Sequence, residues 1–372
     1  MRPRVALVTS GIGTKHGGIG VVAELIVSAL EDHSDLAVWE HHAFWPRFAR
    51  IPAAVGAAFF GSLKTPDLVL YDHVDLAVLH AVIPRLQNVP YAVFLHGIEV
   101  WKPLVGRRRE ALLGAKLLLV NSATTATEAR VFNPWLPKVE ITWLGVERQD
   151  DLANVESNPP IGLIVGRMAD SERLKGHDAV MDAWPLIRSM VPDAKLMIVG
   201  EGNDRGRLKK RVKAERLAGI EFCGRVDDAQ RNQMYQSCRL LFYPSKQEGF
   251  GLAGIEAASF GLPVLGLAGT VTEELFPTGT GAVMAKDLSR ESIAESAVPV
   301  LRSAQHAAEL GRASSARVNA VFLKEHFADR FRRALGPLLS YGTVTTTTPT
   351  TDLRKRKTPA SVQVARSKGR YS

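Results

Sequence analysis

The feature that most constrains this fold is a regular alternation between short apolar runs and longer amphipathic stretches of helical length. In the first half, the candidate strands are Val5–Thr9, Leu36–Glu40, Leu68–Tyr71, Tyr91–Leu95, Leu117–Val120 and Glu140–Leu144. In the second half, they are Gly162–Val165, Lys195–Val199, Ile220–Cys223, Leu240–Tyr243, Pro263–Gly266 and Ala282–Met284. Such near-continuous apolar runs are typical of parallel strands covered by helices on both faces. The pattern therefore predicts an α/β protein.

The two sets of strands predict two doubly wound domains within the 372 residues. We expect an N-terminal domain over 1–152 and a C-terminal domain over 161–325, joined by the polar linker 150–160. A final helix over 326–341 is expected to pack back on the N-terminal domain. Ligands of such folds bind beyond the carboxyl ends of the strands. Residues that directly follow strands are therefore the candidates for chemistry.

The positive charge of the chain is concentrated at its C-terminus. Residues 341–372 contain seven Lys or Arg side chains and one acid, Asp352, so they contribute +6 of the net charge of +9. Beyond Val344 this Thr- and Pro-containing stretch has no apolar periodicity. It is therefore predicted to be a disordered basic tail over 342–372.

Several other classes of protein are disfavoured. The sequence contains no run of about 18 uncharged apolar residues, so no transmembrane helix is expected. The chain has two cysteines, Cys223 and Cys238, which are too few for a disulfide framework and favour a cytoplasmic protein. No Asp-x-Asp motif is present, because Asp72 and Asp75 are one residue too far apart. We interpret Asp72-His73 as a pair of polar residues at a strand end. Neither a metal nor a cofactor is expected.

Two candidate sites lie in the first half. The glycine-rich segment Gly11–Gly20, which includes Gly17 and Gly18, follows the first predicted strand and precedes a helix expected near Val21. Glycines allow the backbone to approach a ligand closely, and a helix N-terminus offers N–H groups to an anion. The spacing fits neither the dinucleotide-binding fingerprint nor a P-loop. The second candidate is His96, which ends a predicted strand and is followed by Gly97.

In the second half, two cations lie near the start of one βα unit. Arg167 follows the first strand of the second domain, and Lys175 comes eight residues later. A guanidinium fork and a lysine point charge together suit a diphosphate.

The most informative segment runs from Glu248 to Glu256, with the sequence EGFGLAGIE. A glycine-bracketed turn leads into an apolar helix predicted from Ile255, with one carboxylate in the turn and one on the helix. Carboxylates accept hydrogen bonds from sugar hydroxyls. The N–H groups of Phe250, Gly251 and Leu252 can meet phosphate oxygens at the helix start.

Taken together, these motifs resemble glycosyltransferase family 4. The matching segments occur in the family's order over roughly residues 4–335: the early Gly17-Gly18, His96-Gly97, Gly166-Arg167 with Lys175-Gly176-His177, Val199–Gly202, Phe222-x-Gly224, and Glu248-x7-Glu256. The resemblance implies the GT-B architecture, in which two Rossmann-like domains face each other across a cleft. It also implies a retaining, metal-independent enzyme that transfers a sugar from a nucleotide diphosphate sugar, UDP- or GDP-linked, to an acceptor hydroxyl.

The resemblance also implies a role for each matching position. Arg167 and Lys175 would hold the diphosphate of the donor. Glu248 would bind the transferred sugar, with the Phe250–Leu252 backbone beside it, and Glu256 would bind the ribose. His96 would lie near the sugar, Gly17 and Gly18 would lie near the phosphates or the acceptor, and Gly224-Arg225 would lie beside the base. The segment Met168–Leu174 makes the gap between Arg167 and Lys175 longer than in many relatives.

Alternatives remain open at this point. Another GT-B enzyme, such as a sugar-nucleotide epimerase or a phosphorylase, is one. A polyanion- or membrane-binding protein with an inactive transferase body is another, because basic tails bind polyanions. For the main hypothesis, the expected partners are a nucleotide sugar and a glycan or glycolipid acceptor, with no nucleic acid. The basic tail and the aromatic stretch between Phe44 and Leu63 leave peripheral contact with an anionic membrane open.

Overall fold

A computed structural model describes residues 2–40, 60–61, 64–150, 153, 155–339 and 363–365. The chain divides into two compact units. Unit 1 contains Met1–Asn121, Thr125–Trp143 and Glu325–Ser372, and unit 2 contains Ser122–Thr124 and Leu144–Lys324.

Unit 1 is built on a parallel sheet. Its strands are β1 (Arg4–Thr9), β2 (Asp35–Glu40), β3 (Leu68–Tyr71), β4 (Tyr91–Leu95), β5 (Leu117–Val120), β6 (Val139–Ile141) and, from the C-terminus, β13 (Gln363–Ala365). The spatial order is β13-β2-β1-β3-β4-β5-β6. β1 lies between β2 and β3, and Val5 is in register with both Leu36 and Leu68. The carboxyl ends of these strands therefore meet at one edge.

The helices of unit 1 follow its strands. They are α1 (Gly17–Leu30), α2 (Val74–Ala77), α3 (Arg107–Gly114), α4 (Ala123–Phe132) and α12 (Lys324–Leu335). Helix α12 buries Phe327, Phe331 and Leu335. Arg332 of α12 donates to the carbonyl of Ala29 at 3.2 Å, so the C-terminal helix lies against α1.

Unit 2 repeats the plan. Its strands are β7 (Ile161–Val165), β8 (Lys195–Val199), β9 (Ile220–Gly224), β10 (Leu240–Phe242), β11 (Val264–Leu267) and β12 (Ala282–Ala285). They are parallel, in the order β12-β11-β10-β7-β8-β9. The helices are α5 (His177–Met190), α6 (Arg205–Ala214), α7 (Asp228–Ser237), α8 (Leu252–Ser259), α9 (Val271–Leu275), α10 (Arg290–Arg302) and α11 (Ala304–Val321).

The core of unit 2 shows why its elements pack as they do. Trp184 of α5 is fully buried and meets the ring of Phe242 edge to face, at 6.5 Å between centroids. Its indole N–H donates to the carbonyl of Ala218 at 2.9 Å, so the polar atom of this large side chain is satisfied. Full burial of such a side chain contributes about 1.5–3 kcal/mol to folding.

All twelve predicted strands are present, most with ends shifted by a single residue. The largest difference is at β6, which ends at Ile141 instead of Leu144. The prediction that the first helix starts near Val21 was wrong: α1 begins at Gly17, inside the glycine-rich segment, after a 3-10 turn over Thr14–His16.

The tail and the aromatic stretch are described only in part. Within the predicted disordered tail, Gln363–Ala365 forms β13, which pairs with the edge strand β2 in register with Ala37–Trp39. An edge strand has unpaired backbone groups that such a segment can satisfy; the rest of 342–372 lies outside the described residues. Between Phe44 and Leu63 only Phe60 and Gly61 are described, and Phe60 is buried against Trp39. In the described part of the chain, no helix is long and apolar enough to cross a membrane.

Candidate active site

Three of the predicted site residues of unit 2 converge at the carboxyl edge of its sheet. Arg167 follows β7, Lys175 ends a 3-10 helix over Asp170–Lys175, and Glu248 lies in the loop after β10. The Lys175 ammonium is 3.7 Å from a carboxylate oxygen of Glu248. Both side chains are mostly buried, with 23% and 20% of their surfaces exposed. Three separate segments of sequence therefore meet at one charged site.

A fourth charged group joins them and was not predicted. Glu172, inside the segment Met168–Leu174, contacts the Arg167 guanidinium through one carboxylate oxygen, and its other oxygen is 3.4 Å from the Lys175 ammonium. The Glu172 side chain is 13% exposed, whereas that of Arg167 is 74% exposed. No sequence pattern predicted this residue, which lies at a point where the 3-10 helix departs from helical geometry.

The turn that follows Glu248 is shaped by close packing. Gly251 has a φ of +95°, a left-handed conformation that favours glycine, and a Cβ there would lie 3.2 Å from the Tyr243 ring. Tyr243 hydrogen-bonds to Glu248, and burial raises the Tyr243 pKa well above its usual value. Phe250 is buried against Phe322, so only its backbone can face a ligand. The role predicted for Phe250 concerns its backbone N–H, which the burial of the ring leaves unchanged.

Glu256 lies further along, on α8, and is held by two residues of α7. The Tyr235 hydroxyl donates to a Glu256 carboxylate oxygen at 3.2 Å, and the Arg231 guanidinium is 3.5 Å from the same oxygen. Helix α7 is fixed at its start by a capping box between Asp227 and Gln230. Burial raises the Glu256 pKa, while Arg231 opposes that shift. Neither Tyr235 nor Arg231 was predicted, because a helix facing α8 is a feature of the packing alone.

Other glycines of unit 2 bring loop backbones into contact at the same edge. Gly200 has a φ of +137°, and a Cβ there would lie 1.9 Å from the Gly166 carbonyl. Gly224 has a φ of +73° and ends β9 beside Glu201, which pairs with Arg205 at 3.3 Å. Arg225, the residue after Gly224, is exposed.

In unit 1, the glycine-rich segment forms a tight turn that is held by its own backbone. The Gly13 N–H donates to the Gly20 carbonyl at 3.0 Å, and the His16 ring covers Gly11, where a Cβ would lie 2.5 Å away. Gly17 has a φ of +68° and is exposed, as is Gly18. Helix α1 thus starts with two exposed glycines, which leave its first N–H groups accessible.

His96 occupies the carboxyl edge of the unit 1 sheet, directly after β4. Its Nε2 pairs with the backbone carbonyl of Asp72, and its own carbonyl accepts from Asn121 at 2.8 Å. Because a carbonyl can only accept, Nε2 must carry the proton. Burial lowers the His96 pKa, despite the opposing charge of Glu99. His96 is therefore a neutral imidazole whose Nδ1 can accept a hydrogen bond.

Asp72, whose backbone carbonyl pairs with His96, has a buried carboxyl group. Asp72 is fully buried at the end of β3 and accepts a hydrogen bond from the Thr9 hydroxyl of β1. Burial raises the Asp72 pKa to about 7, against the hydrogen bonds from Thr9 and Ser10. The neighbouring His73 ring stacks on His96 with 6.3 Å between centroids. Asp72 and His73 thus both contact His96, Asp72 through its backbone carbonyl and His73 through its ring.

Within the described ranges, no group of three or more His, Cys, Asp or Glu side chains is arranged to hold a metal ion. Cys238 is buried and Cys223 half-buried, and both are free thiols.

Part of unit 2 matches a known protein family. Residues 147–317 match the family Glycosyl transferases group 1. This group 1 match lies wholly within unit 2 and includes Arg167, Lys175, Glu248 and Glu256.

Curated relatives match this chain over part of its length. An uncharacterized glycosyltransferase of Haemophilus influenzae is 35% identical over 92 residues, 24% of this chain and 26% of that protein. A GDP-mannose-dependent monoacylated alpha-(1-6)-phosphatidylinositol monomannoside mannosyltransferase of Corynebacterium glutamicum is 26% identical over 169 residues, 43% of this chain and 44% of that protein. The chain thus matches less than half the length of these relatives.

Solved structures extend the likeness to both units. HepE of Anabaena, solved with UDP and glucose, has a TM-score of 0.73 at 16% identity, covering 90% of this chain and all of HepE. Sucrose-phosphate synthase of Thermosynechococcus elongatus has a TM-score of 0.74 at 17% identity, covering 91% and 99%. The predicted fold class, two α/β units with parallel sheets of the GT-B type, is confirmed.

The buried Asp72 generates a prediction about pH. Its raised folded pKa means that its contribution to stability is complete below the unfolded pKa of about 4 and is lost as pH rises to about 7. The side-chain amide of asparagine has the same shape but does not titrate, so it does not lose this stability. We therefore expect the gain in stability from Asp72→Asn to grow with pH, by up to about 1.4 kcal/mol per unit between pH 4 and pH 7.

Urea unfolding of both proteins at several pH values provides the measurement. Asp32→Asn, which changes an exposed carboxylate of the same unit, is the matched control. A stability difference for Asp72→Asn that does not vary from pH 4 to pH 8 would contradict the assignment.

Proposed function

We propose that this chain is a retaining, metal-independent glycosyltransferase, similar to glycosyltransferase family 4. It would transfer a sugar from a UDP- or GDP-sugar to an acceptor hydroxyl. The observation that carries the proposal is the convergence of Arg167, Lys175 and Glu248 at one strand edge of unit 2. That unit also contains the group 1 match.

The cations suit the leaving diphosphate. Breaking the bond between the sugar and the phosphate adds negative charge to the diphosphate, and preorganised cations stabilise charge that develops in a transition state. Arg167 offers a planar fork and Lys175 a point charge. The 74% exposure of the Arg167 side chain leaves it accessible to a ligand.

The two glutamates would bind different parts of the donor. Glu248 lies 3.7 Å from Lys175, so it would accept hydrogen bonds from the sugar next to the diphosphate. The backbone N–H groups of the turn that includes Phe250, Gly251 and Leu252 would lie beside it. Glu256, fixed by Tyr235 and Arg231, would accept from the ribose hydroxyls, with Gly224 and Arg225 bordering the base.

The remaining predicted site residues belong to unit 1. The resemblance assigns His96 to the transferred sugar, and a neutral imidazole with a free acceptor nitrogen suits a sugar hydroxyl. The exposed Gly17 and Gly18 at the start of α1 would approach the phosphates or the acceptor.

Retention would follow from a reaction on one face of the sugar. The bond between the anomeric carbon and the donor phosphate oxygen breaks as the acceptor oxygen attacks from the same side. The departing phosphate takes the acceptor proton, so atoms and charge balance without a covalent enzyme intermediate. The protein would contribute positioning and charge stabilisation.

The relatives suggest a setting for the acceptor. The Corynebacterium relative is named for GDP-mannose and a phosphatidylinositol mannoside, and HepE was solved with UDP and glucose. We infer a cytoplasmic enzyme of cell-surface polysaccharide or glycolipid synthesis, with peripheral contact to the inner membrane face. A thermal-shift screen of UDP, GDP and ADP tests the donor class directly, because a bound nucleotide stabilises the fold by mass action. A protein whose melting temperature responds to none of them would contradict the proposal.

The two glutamates should fail differently. Glu248→Ala should mainly lower turnover, because the sugar becomes cation-like in the transition state. Glu256→Ala should mainly weaken nucleotide diphosphate binding, by roughly 1.5–3 kcal/mol for a lost charged hydrogen bond. Calorimetric titration of the bare nucleotide, with donor kinetics alongside, measures both, and Gln variants at each position control for lost packing. Equal weakening of nucleotide binding by both substitutions would overturn this division.

The leaving-group assignment predicts insensitivity to chelators. Activity should persist in excess EDTA, whereas Arg167→Ala or Lys175→Ala should lower turnover on the order of a hundredfold, as for other lost transition-state charge contacts. Lys210→Ala, which removes an exposed lysine of α6, is the matched control and should leave turnover unchanged. An enzyme silenced by EDTA and rescued by Mg²⁺ or Mn²⁺, with both alanine variants active, would refute the mechanism.

A further inference from the structure

The carboxylate of Glu172 lies where the proposed function places a diphosphate. One of its oxygens contacts Arg167, and the other is 3.4 Å from the Lys175 ammonium. A bridging pair of oxygens between these two cations is the arrangement that phosphate oxygens would adopt. The site in this structure therefore already contains an anion, and that anion belongs to the chain itself.

The local charges show what this anion does. Arg167 and Lys175 supply two positive charges, and two carboxylates lie close to them: Glu172 within 4 Å of both cations and Glu248 within 4 Å of Lys175. The four groups together are neutral. A diphosphate that entered this site without displacing Glu172 would meet two carboxylates as well as two cations, and like charges at this distance repel.

The segment around Glu172 is anchored on both sides. The Asp170 N–H donates to the Asn203 side chain at 3.0 Å, and Arg173 pairs with Asp204 at 3.1 Å. Between these anchors, Glu172 departs from helical geometry, with φ −123° and ψ 27°. The backbone thus presents Glu172 at the cations, while the exposed Arg167 side chain retains the freedom to move.

We propose that Glu172 is an intramolecular counter-anion of the diphosphate site, which the donor must displace and which returns when the product leaves. This inference rests on the proposed function. Its consequence is a moderate affinity for the nucleotide diphosphate product. That product carries more negative charge than the donor, and cations without a competing carboxylate would retain it.

The test is calorimetric titration of wild type and Glu172→Gln with UDP, GDP and inorganic pyrophosphate. Pyrophosphate lacks a base and a ribose, so it probes the diphosphate site alone. We expect Glu172→Gln to bind pyrophosphate and the preferred nucleotide about tenfold more tightly, which corresponds to about 1.4 kcal/mol. Glu215→Gln, which removes the same charge from a pair with Arg211 elsewhere in unit 2, should bind as wild type does. Unchanged or weaker binding by Glu172→Gln would overturn the inference.

The Arg167→Ala variant distinguishes a failure of the counter-anion role from a failure of the diphosphate assignment. If nucleotide binding weakens with Arg167→Ala but does not tighten with Glu172→Gln, only the counter-anion role is wrong. If Arg167→Ala also leaves nucleotide binding unchanged, the diphosphate assignment itself fails. Glu172→Asp, with one methylene fewer, should lie between wild type and Glu172→Gln; it provides the same test should the Gln variant unfold at a lower temperature.

Discussion

Burial of parallel strands on both faces is the constraint on which the rest of this structure depends. The central strands of each unit, such as β3, β4, β10 and β11, are entirely apolar, whereas the edge strands β6 and β9 also contain the charged residues Glu140 and Glu221. Polar side chains of the central strands therefore lie at the strand ends, and parallel pairing brings the carboxyl ends together at one edge. This topology places Arg167 and Glu248 beside other polar groups in unit 2, although the two residues are far apart in sequence. It places His96 beside other polar groups in unit 1.

The balance of electrostatic energies at the unit 2 edge favours exchangeable contacts. Two opposite charges 4 Å apart attract by about 4 kcal/mol in a partly shielded environment. Removing each ion from water costs several kcal/mol. For the mostly buried pairs of Lys175 with Glu172 and Glu248, this desolvation cost opposes the attraction. A network of this kind holds its geometry without strong net stabilisation, so an incoming anion can replace one of its members.

The sequence predicted the strands well because each is a short apolar run with clear polar boundaries. The positions of Arg167 and His96 at the ends of strands could be predicted for the same reason. The contacts of Glu172 and Tyr235 could not be predicted, because they involve a non-helical backbone at Glu172 and the packing of α7 against α8. The start of α1 was missed because glycine has a low helix propensity, whereas here Gly17 and Gly18 form the first turn of the helix after a 3-10 turn.

The central claim is that the charged edge of unit 2 binds the diphosphate of a nucleotide sugar. A crystal structure of the protein with UDP or GDP tests it most directly. The account predicts phosphate oxygens within hydrogen-bonding distance of Arg167 and Lys175, ribose hydroxyls at Glu256, and Glu172 displaced from the two cations. A bound nucleotide whose phosphates lie elsewhere, with the pairs of Glu172 to Arg167 and Lys175 intact, would contradict it.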